Sequence, residues 1–429
     1  MKLLTYISRI LVGSLFIVSG IIKANDPLGF SYKLGEYFGT DVLNLPFLEP
    51  YSLLISMLIC IAEVILGIAV LLGSKPRLTS WLLLLMILFF TFLTFYSAFF
   101  NKVTDCGCFG DALKLTPWQS FFKDIVLLIL VLVIFIQQKN IHRNTPKEDL
   151  IILPLSLAAI GFFSMVILKW NFPLLFSAGI FLILVLVKNA LTHIHIDWIL
   201  AIIATAITSY FSFYCYNHLP VKDFRPYAVG KSIKEGRQLP PNATPYIYEN
   251  TFVYKNKITG EEKEFSDKNY PWQDSAWTFV SRDTKMIQKG DDAPIHDFNL
   301  IGTDGNDYTE DILNEPVIFL LIAYDISKSN EKVEPKISKF VEDVNKAGYY
   351  FYGVSSSSYN EVEDFRHKHQ SVFDYYSADA TMLKTTVRSN PGLILLMNGT
   401  VCGMWHYNDF PEFKEAKKII ESNTANSNK

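Results

Sequence analysis

Stretches of about 20 residues with hardly a charge recur seven times along the chain, near 5–22, 52–73, 79–100, 120–137, 150–168, 173–191 and 197–216. Each is long enough to cross a bilayer as a helix, the form that satisfies every backbone N–H and C=O without water. Between 151 and 217 the only Asp, Glu, Lys or Arg residues are Lys169, Lys188 and Asp197. Past Tyr216 the pattern changes. Residues 218–290 are rich in Pro, Tyr, Lys and Glu, with alternating runs at Tyr246–Glu249 and Thr251–Tyr254 that predict a small β-hairpin insert. From 291 to 425, strand-like runs at Pro316–Ala323, Tyr349–Val354, Pro391–Met397 and Val401–Trp405 are interleaved with amphipathic stretches at 331–346 and 359–368. The turn pair Asn398–Gly399 separates the last two strands, and a helix over 411–422 closes the chain. The order βαβαββα predicts a layered α/β domain.

Composition agrees with a chain partly in lipid. Of 429 residues, 50% are hydrophobic and 19% charged, which excludes disorder, and the length calls for more than one domain. A net charge of −3 offers no basic surface for nucleic acid. The first apolar run is bracketed by Arg9 and Lys23 and followed by no small-residue cleavage site, so it reads as a spanning helix and not a signal peptide. Cations gather in alternate turns (Lys75 and Arg77; Lys139, Arg143 and Lys147; Lys188), whereas 24–51 carries four acids against Lys33. The positive-inside rule therefore predicts a multi-pass protein of the bacterial inner membrane, N-terminus cytoplasmic and residues beyond about 217 periplasmic. The expected fold class is a membrane all-α bundle of about seven transmembrane helices with an extracytoplasmic α/β domain.

The sharpest chemical signal is Asp105-Cys106-Gly107-Cys108-Phe109-Gly110-Asp111, between the third and fourth helices. Two thiols one glycine apart can close a short, easily reduced ring on the oxidising side of the membrane. A static turn-forming bridge, or a pair of ordinary thiols, is the competing reading. Glu63 falls within the second helix, where a charge is costly and seldom kept without a partner or a task. It reads as a clasp between helices 1 and 2 or as a proton relay, with Arg9 and Lys23 able to reach it only along the bundle. Lys123 and Asp124 read as an interfacial anchor. Cys60 and Cys402 read as packing, and Cys215, at the outer end of helix 7, is a candidate electron relay. His193-x-His195 and His367-x-His369 come without a third ligand, so no metal site is expected.

Residues 1–140 resemble the DoxX superfamily of four-helix membrane proteins, specifically its MauE-like branch. The residues that carry the resemblance are Arg9–Gly20, Lys23, Glu63–Gly67 and, above all, Asp105–Asp111. It implies a membrane redox role tied to methylamine utilisation, exercised with a thioredoxin-like partner, with Cys106 and Cys108 as the exchanging pair. Residues 291–425 resemble the thioredoxin superfamily through Ala293-Pro294-Ile-His-Asp-Phe298, Asp304-Gly305, the strand ending Leu321–Ala323, and Asn390-Pro391, where the family places a cis-proline facing its active site. The departure is decisive. Tyr324–Ser329 stands where the family carries Cys-x-x-Cys, and no cysteine lies between 215 and 402.

The chain thus divides into a DoxX/MauE-like bundle (1–140), three additional helices (150–216), a neck and β-rich insert (217–290) and a degenerate thioredoxin-like domain (291–425). The leading expectation is a thiol-disulfide redox protein with Cys106, Cys108 and Glu63 as catalytic residues and Arg9, Lys23, Asp105, Asp111 and Pro391 as accessory ones. A quinone, suggested by location, or a partner thiol protein would exchange electrons with it, and extracytoplasmic clients would dock on the Pro391 face. The alternatives are a membrane-anchored binding or scaffold module, and an accessory or transport subunit using the surroundings of Glu63.

Overall fold

The computed structural model describes residues 2–100, 102–103, 107, 109–191, 195–266, 269, 271, 274–288 and 290–427. Among them are seven helices long and apolar enough to cross a membrane. These are α1 (Lys2–Asn25), α3 (Ser52–Leu72, with a preceding 3-10 turn), α4 (Pro76–Phe100), α5 (Pro117–Ile136), α6 (Pro146–Gly161, continued as a π-turn to Ile167), α7 (Phe172–Ala190) and α8 (Ile196–Asn217). Between the first two lies a helix the hydropathy pattern does not announce, α2 (Pro27–Phe38). Its start is nevertheless written locally: the Asp26 side chain accepts from the Gly29 N–H at 2.8 Å, and Pro27 occupies the first turn.

α1 and α3 pack through small residues. A Cβ on Gly67 would stand 2.7 Å from the Gly13 carbonyl oxygen, and one on Gly20 would stand 2.9 Å from that of Cys60. In lipid such close backbone approach replaces the hydrophobic drive that holds soluble helices together. Capping boxes start α5 (Thr116 with Gln119) and α6 (Thr145 with Glu148), each with Pro at the first helical position. Near the N-terminal end of the bundle, Arg9 donates to the carbonyls of Val70 and Leu71 at 2.9 and 3.0 Å and to Asn144 Oδ1 at 2.6 Å. It therefore closes the last turn of α3 and does not pair with Glu63.

Residues 218–246 do more than tether. They include α9 (Ile233–Gly236), and Gly230 N–H donates to Val401 O at 2.7 Å while Ile233 N–H donates to Gly399 O at 2.8 Å. The neck thereby extends the edge of the outer sheet. The expected hairpin insert is a three-stranded antiparallel sheet in the order β2-β1-β3, from β1 (Ile247–Asn256), β2 (Glu262–Ser266) and β3 (Trp277–Gln288).

The C-terminal domain adds α10 (Thr309–Asn314), β4 (Ile318–Ile322), α11 (Glu334–Lys346), β5 (Tyr350–Ser355), α12 (Tyr359–His369), β6 (Tyr375–Ser377), α13 (Ala380–Thr386), β7 (Gly392–Met397), β8 (Thr400–His406) and α14 (Phe413–Ser427). The sheet order is β6-β5-β4-β7-β8, with β4, β5 and β6 parallel and β7 and β8 antiparallel. This is the thioredoxin-like arrangement. β4 is buried along its whole length, as a central strand covered on both faces must be. Asn398 and Gly399 both have positive φ in the β7–β8 turn, and the Asn390–Pro391 peptide is cis. The short strand β6 and helix α13 have no counterpart in the order read from sequence.

Candidate functional site

Two ion pairs of the bundle meet around one space. Lys23 Nζ lies 2.7 and 2.9 Å from the two carboxylate oxygens of Glu63, donates to Ser19 Oγ at 2.6 Å, and stands 4.9 Å from the centre of the Phe90 ring. A lysine near the end of α1 thus reaches a glutamate deep in α3, because its four-carbon stem runs back along the helix. Nearby, Asp124 on α5 is buried and held by Lys123 Nζ at 2.8 Å and by the Thr94 hydroxyl, which donates at 3.0 Å. Lys123 Nζ in turn stands 5.0 Å from the Phe109 ring centre.

Both ion pairs line a cavity of about 290 Å³ whose remaining wall is largely apolar, including Phe16, Phe90, Leu127 and Phe163, with Gln119 as a further polar group. Lys123 and Asp124, read from the sequence as an interfacial anchor, belong to this wall. Phe109, the residue after Cys108, is part of the same lining, as are Leu113 and Leu115. Asp105, Cys106 and Cys108 lie outside the described residues. Gly107 is described: its φ of +67 is in the left-handed region, and a Cβ there would stand 3.3 Å from the Lys33 side chain on α2. The chain between the two cysteines accordingly runs against α2.

The outer domain comes down on this same end of the bundle. Arg388, two residues before Asn390, donates through Nε to the Asp26 oxygens at 2.9 and 3.0 Å and through Nη2 to Asp111 Oδ2 at 3.3 Å. Its guanidinium lies 5.5 Å from the Tyr32 ring centre, and the Tyr32 hydroxyl donates to that of Tyr324 at 3.2 Å. Burial pushes the Tyr32 and Tyr324 phenols above their ordinary value. Burial also pushes the Asp111 carboxyl up, against the pull of Arg388. Pro391 is buried, and Asn390 Nδ2 donates to Asp325 O at 2.7 Å. Where the sequence suggests an open docking face beside Pro391, the neighbouring residues engage the chain's own membrane half.

Cys60 and Cys215 are buried and Cys402 is half-buried, none of them in a disulfide. Among the described residues no group of three His, Cys, Asp or Glu side chains is placed to hold a metal. Two local sequence signals mark the interface: the Asp26-Pro27 helix start, and Arg388 immediately ahead of Ser389-Asn390-Pro391.

Comparison with known proteins divides along the same line as the fold. Residues 1–137 match the family model described as Methylamine utilisation protein MauE. Residues 248–289, the three-stranded insert, match a domain of unknown function, DUF8463. Protein TlpB of Flavobacterium psychrophilum is 30% identical over 147 residues, a match covering 33% of this chain and 39% of TlpB. The chain thus spans well under half the length of that relative. Among solved structures, the thioredoxin domain of a thiol-disulfide oxidoreductase from Bacteroides vulgatus is 14% identical with a TM-score of 0.25, over 29% of this chain and 92% of that one. The bacterioferritin comigratory protein of Xanthomonas campestris is 15% identical with a TM-score of 0.22, over 30% and 91%. The chain is a multi-pass membrane protein that carries a thioredoxin-like domain.

Proposed function

We propose that this protein is an inner-membrane thiol-disulfide redox protein whose Cys106 and Cys108 cycle between dithiol and disulfide at the outer face of the bundle. Oxidation of the pair forms one S–S bond and releases two protons and two electrons. A lipid-soluble quinone that takes up both becomes a quinol, and the resulting disulfide returns to dithiol by oxidising two thiols of an extracytoplasmic partner protein; run in the opposite direction, a quinol reduces the pair, which then reduces a partner disulfide. The observation that carries this reading is the cavity whose wall contains both Phe109, next to Cys108, and the Lys23–Glu63 pair. An apolar pocket with an ammonium and a carboxylate on its wall suits a neutral ring with polar oxygens, and it offers groups that hold or move a proton. The match to MauE over residues 1–137 supports the same role, and membership of the wider DoxX group is part of the proposal.

The division into a redox bundle (1–140), added helices (150–216), neck and insert (217–290) and outer domain (291–425) follows from it. So does the orientation, with the N-terminus cytoplasmic and the outer domain periplasmic, since Lys75, Arg77, Lys139, Arg143 and Lys147 all fall in turns on the side of the N-terminus. The test is to trap thiols in intact cells with an alkylating reagent, with and without quinone depletion. The redox state of the pair is expected to follow the treatment in the parent and to be lost in Cys108→Ser. A pair that stays in one form throughout favours the second reading, a membrane-anchored binding module. The absence of any cysteine from 216 to 401 is what recommends that reading.

A further inference from the structure

The loop after β4 and the residues around the cis Asn390–Pro391 peptide meet on one face of the outer domain, where Asn390 donates to Asp325 O. Here that face has no cysteine, yet it is the face turned to the membrane half. Tyr324 follows β4, Arg388 precedes Asn390-Pro391, and both close on α2 and on the segment after the thiol pair. α2 is gripped from two sides. Tyr32 and the capping Asp26 meet the outer domain, while Lys33 and Phe30 lie against Gly107.

The contact is built around a charge. Arg388 is buried, and the carboxylates that neutralise it come from residues 26 and 111, 362 and 277 positions away. Lys384 adds a second cation, 5.4 Å from the Tyr32 ring centre and 5.9 Å from that of Tyr324. Gly29 leaves room for the approach: a Cβ there would stand 2.7 Å from Arg388 Nη2 and 2.3 Å from Asp26 Oδ2. Taking an arginine out of water costs several kcal/mol unless it is paired, so this residue favours the docked arrangement over a freely swinging domain.

We propose that the cysteine-free thioredoxin-like face is a docking surface for the chain's own membrane half, and that Arg388, through Asp111 and Asp26, is a positioning residue for the segment bearing Cys106 and Cys108. The docking part stands on the contacts alone; the positioning part rests on the redox reading above.

The experiment uses the full chain in detergent or nanodiscs, with two readouts on each of Arg388→Ala, Arg388→Lys and Gly29→Ala. The first is amide hydrogen exchange. Arg388→Ala is expected to speed exchange about tenfold or more in α2 and in residues 380–390, while β4 and β7 keep their protection. Arg388→Lys is expected to restore part of it, since lysine keeps the charge and loses the fork. Gly29→Ala keeps α2 helical but displaces the guanidinium or the carboxylate, so it is expected to mimic Arg388→Ala even if that variant fails to accumulate. The second readout is the redox midpoint of the cysteine pair, expected to move in the same variants and in the same order. Unchanged exchange in α2 in both Arg388→Ala and Gly29→Ala overturns the docking. Faster exchange with an unmoved midpoint overturns the positioning role. Faster exchange with a pair that never changes state overturns the redox reading and leaves the docking standing.

Discussion

Lys23 and Glu63 form an ion pair inside the helical bundle, the ammonium within 2.7 and 2.9 Å of both carboxylate oxygens and the side chains only 2% and 3% exposed. Removing one partner strands the other charge in an apolar setting. Lys23→Met and Glu63→Leu are each expected to lower stability by about 3–5 kcal/mol, and the double variant by clearly less than the sum. Unfolding of the purified protein in detergent, read as a double-mutant cycle, checks this; additive losses contradict the pairing.

The helix crossing beneath that pair depends on Gly13, Gly20 and Gly67. Gly67→Ala pushes a methyl group to 2.7 Å from the backbone oxygen of Gly13, which cannot rotate away. A loss of about 1–3 kcal/mol is expected, by separation of α1 from α3. The same unfolding assay reads it, and an unchanged midpoint refutes the close approach.

The cavity offers a substitution that leaves the thiols untouched. Leu127 is one of its lining residues and is buried. Leu127→Trp fills the space, and is expected to slow quinone-dependent oxidation of the Cys106–Cys108 pair while chemical oxidants still act on it. Oxidation by quinone at the parent rate would separate the cavity from the reaction.

In the outer domain Glu334 opens α11 with 6% exposure, and its carboxyl is pushed up to about 7, chiefly by burial and then by Glu331. The unfolded chain releases this proton near the ordinary 4.5. Between the two values the folded state binds more proton, so stability falls as pH rises through that window and levels off above it. Glu334→Gln is expected to flatten the slope and to strengthen α11 and β4 under alkaline conditions by roughly 3 kcal/mol, measured as amide exchange against pH. An unaltered slope contradicts the assignment.

Much of the architecture was legible because it rests on local pattern. Apolar runs of spanning length announce themselves, and the Asn398–Gly399 pair marks the β7–β8 turn by its backbone preference. α2 is not legible from hydropathy, since it is too short and mixed to stand out as an apolar run and its Asp26-Pro27 start is a two-residue signal. Arg9 and Lys23 looked alike as cations on one helix, yet one closes the end of α3 and the other neutralises Glu63. Which does which depends on where α3 crosses, and that is set by Gly13, Gly20 and Gly67. Lys123 and Asp124 sit at a helix start, where an anchor is the ordinary reading; the packing of Thr94 and Phe109 turns them inward. The Arg388 contacts span hundreds of residues and leave no periodic trace.

If Cys106 and Cys108 exchange one S–S bond for two electrons and two protons, the pair titrates with a single midpoint potential. The direct measurement equilibrates membranes containing the full-length protein across a series of thiol-disulfide potentials, alkylates, and weighs the peptide bearing both residues. One two-electron transition from dithiol to disulfide is expected, absent in Cys108→Ser. A peptide of constant mass at every potential contradicts it.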